Sequence, residues 1–259
     1  TIVDRRYVDI AGQVSEQGGL LLDDLYVSAL SKMEGLTTRA ATIVTSGGGN
    51  YSLRIEAPLE ETVTYGLKNK SQATDWHWGV PANSYYSRDY WATITDGVGT
   101  YDAWLPDVYI DSSVDILVGQ NDVVMNLQAE VSLQKAIITL MGSDGFAQTG
   151  TQVKLEKKDT LGDWTLVKTL TTDSNGVAAI YLPPLGDARE AYRFISTPVN
   201  TTSASTYIYR EGQTHEFTLD GATSGQNIAS EVVITIVDRR YVDIAGQVSE
   251  QGGLLLDDL

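Results

Sequence analysis

"YVDIAGQVSE", residues 7–16, alternates apolar and polar side chains on both sides of a glycine. A period of two is that of a strand with one face buried. The pattern returns in "LYVSAL" (25–30), "NYSLRIEAP" (50–58), "ETVTYGL" (61–67), "VDILVG" (114–119), "DVVMNLQAEV" (122–131) and "KAIITLMG" (135–142). It continues in "TQVKLEKKD" (151–159), "WTLVKTLTT" (164–172), "GVAAIYLPP" (176–184), "AYRFISTP" (191–198), "STYIYREG" (205–212) and "THEFTLD" (214–220). "GGG" (47–49), "TDG" (95–97), "SDG" (143–145) and "DSNG" (173–176) supply turns between these runs. No window of helical periodicity is long enough to support a helix. Short strands at this spacing predict an all-β chain of antiparallel sandwiches.

The strand that opens this series belongs to a longer duplication. Residues 1–25, "TIVDRRYVDIAGQVSEQGGLLLDDL", return unchanged as residues 235–259, a period of 234 residues. Three origins are compatible with it: a window on a tandem array, an engineered copy of a strand, or a subunit that lends its tail to the next. The first is the simplest, because recent duplication keeps repeats identical. The third meets a difficulty, since each acceptor already owns the strand it would receive. On the tandem reading the last 25 residues are the start of the next repeat. They should bury their apolar side chains only where a partner copy supplies the rest of that domain.

The 259 residues carry a net charge of −16, no cysteine, and 42% hydrophobic residues. The hydrophobic content suffices for cores and is too high for a disordered tail. The acidic balance argues against nucleic acid as a partner. Without cysteine there are no disulfides and no thiolate chemistry. No apolar run reaches the roughly 20 residues that cross a bilayer as a helix.

Within the 234-residue unit there is a weaker echo. "GQVSEQGGLLLDDLYVSAL" (12–30) with "TSGGGNYSLRIEAP" (45–58) parallels the later run that ends in "TLTTDSNGVAAIYLP" (169–183). These stretches resemble the carboxypeptidase-regulatory-like and Cna-B/transthyretin-like Ig-type domains. The resemblance implies seven-stranded Greek-key sandwiches of bacterial and archaeal cell-surface proteins. The expected layout is two tandem Ig-like sandwiches plus the first strands of a third. Residues 1–130 form the first, with a long aromatic insertion at about 70–108; residues 131–234 form the second; residues 235–259 open the next. The first domain departs from the family by carrying Ser46-Gly47-Gly48-Gly49 where an Asp-x-x-Gly turn is usual. Some Cna-B-like domains form a Lys–Asn amide. Lys135 stands on the first strand of the second domain, and no asparagine on a terminal strand suits it.

Candidate chemistry is sparse. The histidines are His77 and His215, and neither a Ser/His/Asp triad nor an HExxH motif is visible. The insertion holds Trp76, Trp78, Tyr85, Tyr86, Tyr90, Trp91, Tyr101 and Trp104. Flat aromatic faces suit sugar rings. The same residues suit a satellite core under a long loop, or a contact between neighbouring domains or chains. Asp96, Asp102, Asp107, Asp111 and Asp115 crowd one stretch, and Asp107, Asp111 and Asp115 are weak calcium candidates. They lack EF-hand spacing, and a strand would scatter them over two faces. Sequons at Asn50, Asn69 and Asn200 are acceptors if the chain meets a glycosylation machinery.

The expectation is a non-catalytic structural repeat unit of an extracellular adhesin, surface fibre or filament. Its partners would be neighbouring repeats or copies of itself, with no cofactor. The alternatives are a carbohydrate-binding module that uses the aromatic loop on surface glycans, and a pilin-like subunit that exchanges strands through its duplicated end.

Overall fold

The computed structural model describes residues 6–33, 36–59, 61–69, 89–106, 110–142, 146–196, 199–203, 206–210, 214–219, 230–236 and 238–242. The described chain is all β. In order the strands are β1 (Tyr7–Glu16), β2 (Tyr26–Met33), β3 (Leu36–Val44), β4 (Asn50–Glu56), β5 (Val63–Asn69), β6 (Asp89–Thr95), β7 (Thr100–Pro106), β8 (Asp111–Ile116), β9 (Val123–Val124) and β10 (Leu127–Ala129). They continue as β11 (Gln134–Gly142), β12 (Gln152–Lys158), β13 (Trp164–Thr171), β14 (Val177–Leu182), β15 (Ala191–Ser196), β16 (Val199–Ser203), β17 (Thr206–Arg210), β18 (Thr214–Phe217), β19 (Ser230–Ile236) and β20 (Asp238–Val242).

The alternation in the sequence is the burial pattern of the strands. Val8, Ile10 and Val14 of β1 point inward, and Tyr51, Leu53 and Ile55 of β4 meet them. Each such side chain contributes about 1.5–3 kcal/mol on leaving water. Gly12 breaks the alternation for a steric reason. A Cβ there would sit 2.0 Å from the Met125 carbonyl oxygen, so only glycine lets β9 and β10 approach β1.

Two sandwiches share one topology. In the first, β10–β1–β4, with β9 also on β1, faces β3–β2–β5–β8. In the second, β19–β11–β14 faces β13–β12–β15–β18. In each, the first strand runs antiparallel to the fourth and parallel to the last. The turn into the fourth strand needs left-handed glycine in both, Gly49 (φ 70) and Gly176 (φ 75). A buried threonine precedes each turn and ties two loops together. Thr45 Oγ1 donates to the Leu22 carbonyl and accepts from Leu25 N, and Thr172 Oγ1 donates to the Gln148 carbonyl and accepts from Thr151 N.

The missing aspartate of the first turn is supplied from elsewhere. In the second sandwich Asp173 Oδ1 accepts from Asn175 N at 2.8 Å and Val177 N at 2.9 Å. In the first, Asp23 reaches over from the preceding loop and accepts from Gly48 N at 3.0 Å and Gly49 N at 2.7 Å. The same charge–amide contact is thus made from a different place in the chain.

The head of the C-terminal duplicate pairs with its own chain. Thr235 and Ile236 complete β19, opposite Met141 and Gly142 of β11, and Asp238–Val242 form β20 against β17. β11 takes this parallel partner as β1 takes β10. The remainder of the duplicate, residues 243–259, lies outside the described residues.

Candidate functional site

The aromatic insertion contributes a hairpin, β6–β7, that stands between the two sandwiches. β7 joins the sheet of the second sandwich beside β14, with Ala103 opposite Tyr181. The β6 side bonds the first sandwich: Thr93 and Asp23 exchange backbone hydrogen bonds of 2.8 and 2.9 Å, and Thr93 Oγ1 donates to Asp24 Oδ2 at 2.7 Å. Period-two alternation then sorts the side chains between two cores. Ala92, Ile94, Ala103 and Leu105 join the core of the first sandwich. Trp104 joins the core of the second, and Trp91 packs against it.

At the tip of this hairpin a charged cluster closes the junction. Asp96 Oδ2 accepts from Lys135 Nζ at 2.9 Å and from the Tyr181 hydroxyl at 2.7 Å. Its Oδ1 accepts from Val98 N and Gly99 N of its own turn, at 3.0 and 3.2 Å. The side chains of Lys135 and Asp96 are only 11% and 12% exposed. Lys135 Nζ also lies 3.5 Å from the centre of the Tyr101 ring, and Tyr101 meets Tyr181 edge-on. Burial pushes the Asp96 carboxyl up, but the bonds from Lys135, Tyr181 and the two amides outweigh it and hold it well below the usual carboxylate range. Burial, together with the neighbouring Asp96, pushes the Tyr181 hydroxyl above its ordinary value.

The connection behind the cluster is equally tied. Glu16, at the end of β1, is buried; its Oε1 accepts from Leu20 N at 2.9 Å and its Oε2 from Leu133 N at 3.0 Å. Gln17 N donates to the Val131 carbonyl at 2.8 Å. Residues 130–133, between β10 and β11, are therefore held by the first sandwich on one side while Leu133 sits in its core.

The residues singled out from the sequence fall as follows. Trp91, Tyr101 and Trp104 line the junction. The buried Trp104 meets Tyr192 edge-on at 6.3 Å, and Lys168 Nζ lies 4.5 Å from the Trp91 ring centre. Tyr90 is placed by its backbone in β6, opposite Leu105. Trp76, His77, Trp78, Tyr85 and Tyr86 lie outside the described residues. Of the aspartates, Asp96 belongs to the cluster, Asp102 pairs with Lys168 at 2.6 Å, and Asp115 accepts from Thr64 Oγ1. Asp111 is placed by its backbone at the start of β8, and Asp107 lies outside the described residues. Among the described residues no three His, Asp or Glu side chains gather as a metal site. Asn50 is exposed and donates through Nδ2 to the Gly47 carbonyl at 2.7 Å. Asn69 and Asn200 are placed by backbone in β5 and β16, and His215 in β18.

Among the described residues the partner of Lys135 is no asparagine but Asp96, contributed by the other sandwich. The sequence had marked Lys135 and the crowded aspartates separately. Their meeting depends on a hairpin from one domain reaching the sheet of the next, and nothing local signals that.

No family model matches the chain, and no curated protein matches it. Among solved structures it is similar to the Bacillus anthracis TIE protein, at 13% identity over 89% of this chain and 34% of that one, with a TM-score of 0.29. The chain thus spans about a third of that protein. It is also similar to a streptococcal ancillary pilin, at 10% identity over 90% of this chain and 69% of that one, TM-score 0.36. A variant of the shaft pilin SpaA from Lactobacillus rhamnosus GG shares 11% identity over 90% of this chain and 98% of that one, TM-score 0.42. None of these scores reaches 0.5, so none assigns the chain to a family or a function.

Proposed function

We propose that the chain is a non-catalytic repeat unit of a long extracellular adhesin, surface fibre or filament. Its work is to span distance through head-to-tail sandwiches. The observation that carries this reading is the β6–β7 hairpin, bonded along one side to the first sandwich and along the other to the second. A joint with one flexible strand of chain would bend. A joint with a hairpin in both cores and a buried ion pair resists bending, which suits a load-bearing rod. The unchanged return of residues 1–25 at 235–259 supports a series of such units. Neighbouring repeats are then the partners, and the net charge of −16 keeps such a chain soluble.

Electron microscopy of the native material tests this. β1 spans 10 residues. At about 3.4 Å per residue a sandwich advances about 35 Å and a unit about 70 Å. A thread with that axial repeat and two beads per unit is the expected result. A repeat far shorter would mean folding back or side-by-side packing, and would end the rod reading.

The pilin-like alternative draws on one observation. Residues 241–250 carry the full sequence of β1, whose slot lies between β4 and β10. On that reading, deletion of residues 235–259 abolishes polymers. On the tandem reading, polymer length is set by the polypeptide.

A further inference from the structure

The two sandwiches can be laid on one another residue by residue through their ladders. Val14 N donates to the Gly49 carbonyl, and Leu140 N donates to the Gly176 carbonyl, both at 2.8 Å. Counting along the strands from these anchors, the pair Asp9–Arg54 takes the place of Lys135–Tyr181, and Tyr7 takes the place of Leu133. In the second sandwich these positions are the buried junction: Leu133 is in the core, Lys135 and Tyr181 hold Asp96, and β7 covers the outer edge of β14. In the first sandwich the same positions are open. Tyr7 is 53% exposed, the Arg54 side chain is 70% exposed, and no described strand covers the outer edge of β4. Beside them Leu59 and Val118 are also exposed, around a cavity of about 730 Å³ that Tyr7, Ala57 and Pro58 help to line. An uncovered strand edge next to exposed apolar side chains is a surface that invites a further strand.

The matching part exists at the other end of the unit. The first sandwich sends out β6–β7 between β5 and β8; the second sends out β16–β17 between β15 and β18, the same point in the same topology. The spacing also matches. Four residues separate β10 from β11, and four separate β19 from Tyr241, which is the twin of the first residue of β1. β17 lies against Asp238–Val242, whose sequence is that of residues 4–8; in β1 the same positions Tyr7 and Val8 pair with Glu56 and Ile55 of β4, so in the joint between units β17 would leave this strand for the far edge of β4, as β7 lies on β14.

We infer that the open edge of β4 and the exposed pole around Tyr7 dock a second copy of this chain, the preceding unit, through its β16–β17 hairpin. The joint between units then has the hairpin-on-fourth-strand arrangement of the joint within a unit. This rests on the tandem-repeat reading above. One difference follows from the sequence. The β6–β7 turn carries Asp96, whereas the segment from β16 to β17 reads "AS" at 204–205, so the joint between units has no counterpart of the buried Asp96–Lys135 pair.

The chain has no cysteine, so labels can be placed without background. A two-unit chain is made by setting residues 1–234 directly before residues 1–259. Spin labels are attached at Thr206→Cys of the leading unit and Ser52→Cys of the following one. Thr100→Cys with Ala179→Cys in a single unit gives the reference for a docked hairpin, since Ser52 corresponds to Ala179. Pulsed electron–electron resonance should give one distance peak as narrow as the reference. Adding Tyr7→Asp to the following unit should broaden that peak, while the melting temperature of a single unit carrying Tyr7→Asp stays unchanged. A broad distribution in the parent two-unit chain, or a peak indifferent to Tyr7→Asp, overturns the inference. The denatured mass of the native polypeptide tests the tandem reading separately. Single-unit chains there, with a narrow peak here, would remove the covalent array and keep the joint as a contact between copies.

Discussion

Replacing Asp96 by alanine tests whether the junction is a structural lock. The substitution removes the carboxylate from Lys135, Tyr181 and two turn amides at once. It leaves an ammonium group at a site where its side chain is 11% exposed. Breaking a buried ion pair by deleting one partner costs about 3–5 kcal/mol. The Tyr101 face, 3.5 Å from Nζ, keeps about 1 kcal/mol of that for the lysine. A net loss of about 2–4 kcal/mol follows, or a fall in Tm of roughly 4–16 °C at the size of this chain. Denaturant unfolding followed by tryptophan fluorescence reads it, because Trp91 and Trp104 lie at the junction. The double variant Asp96→Ala with Lys135→Met should recover part of the loss, since it removes the stranded charge. A cost below about 1 kcal/mol for Asp96→Ala would put the pair in the class of surface ion pairs and refute the lock. The pH dependence is a second reading of the same cluster. The folded carboxyl is held below its ordinary value of 3.8. Its contribution is therefore whole above that value and fades only as the pH falls further, toward the folded value. Unfolding measured at pH 7 and pH 5 should show the same Asp96→Ala cost; a cost already lost at pH 5 would contradict the assignment.

Two further substitutions probe the cores on either side. Trp104→Ala should cost about 3–5 kcal/mol, and Trp104→Phe well under half of that. The indole Nε1 of Trp104 is buried with no hydrogen-bond partner among the described residues, so phenylalanine sheds an unsatisfied donor along with some packing; equal costs in thermal unfolding would show that the N–H is bonded in solution. Gly12→Ala places a Cβ 2.0 Å from the Met125 carbonyl oxygen and should cost about 1–3 kcal/mol by forcing β9 away from β1. Amide exchange would locate the damage at residues 123–127, and protection unchanged there would mean that the strands approach less closely than the ladder indicates.

Alternation along the chain was enough to read the all-β class and the inward faces of strands such as β1 and β4, because a strand's side chains point by parity alone; β3, β6, β7, β16 and β19 were not read, and β6–β7 passed for an aromatic loop. The repeated Thr, turn and glycine before each fourth strand were legible for the same local reason. The partners across the junction were not. Asp96 read as one of several crowded acids, Lys135 as a lysine without a mate, and Trp104 as part of an aromatic loop. Asp23 gave no sign that it would cap a glycine turn 25 residues away. Each of these pairings joins positions far apart in sequence, and only the docking of one sandwich on the next brings them together. Residues 1–25 and 235–259 state the contrast most directly. Their sequences are identical, yet Tyr7 pairs with Glu56 in β1 and Tyr241 pairs with Tyr207 in β20. A strand's pattern sets which side chains face inward; the neighbours that tertiary structure supplies decide which strand it joins.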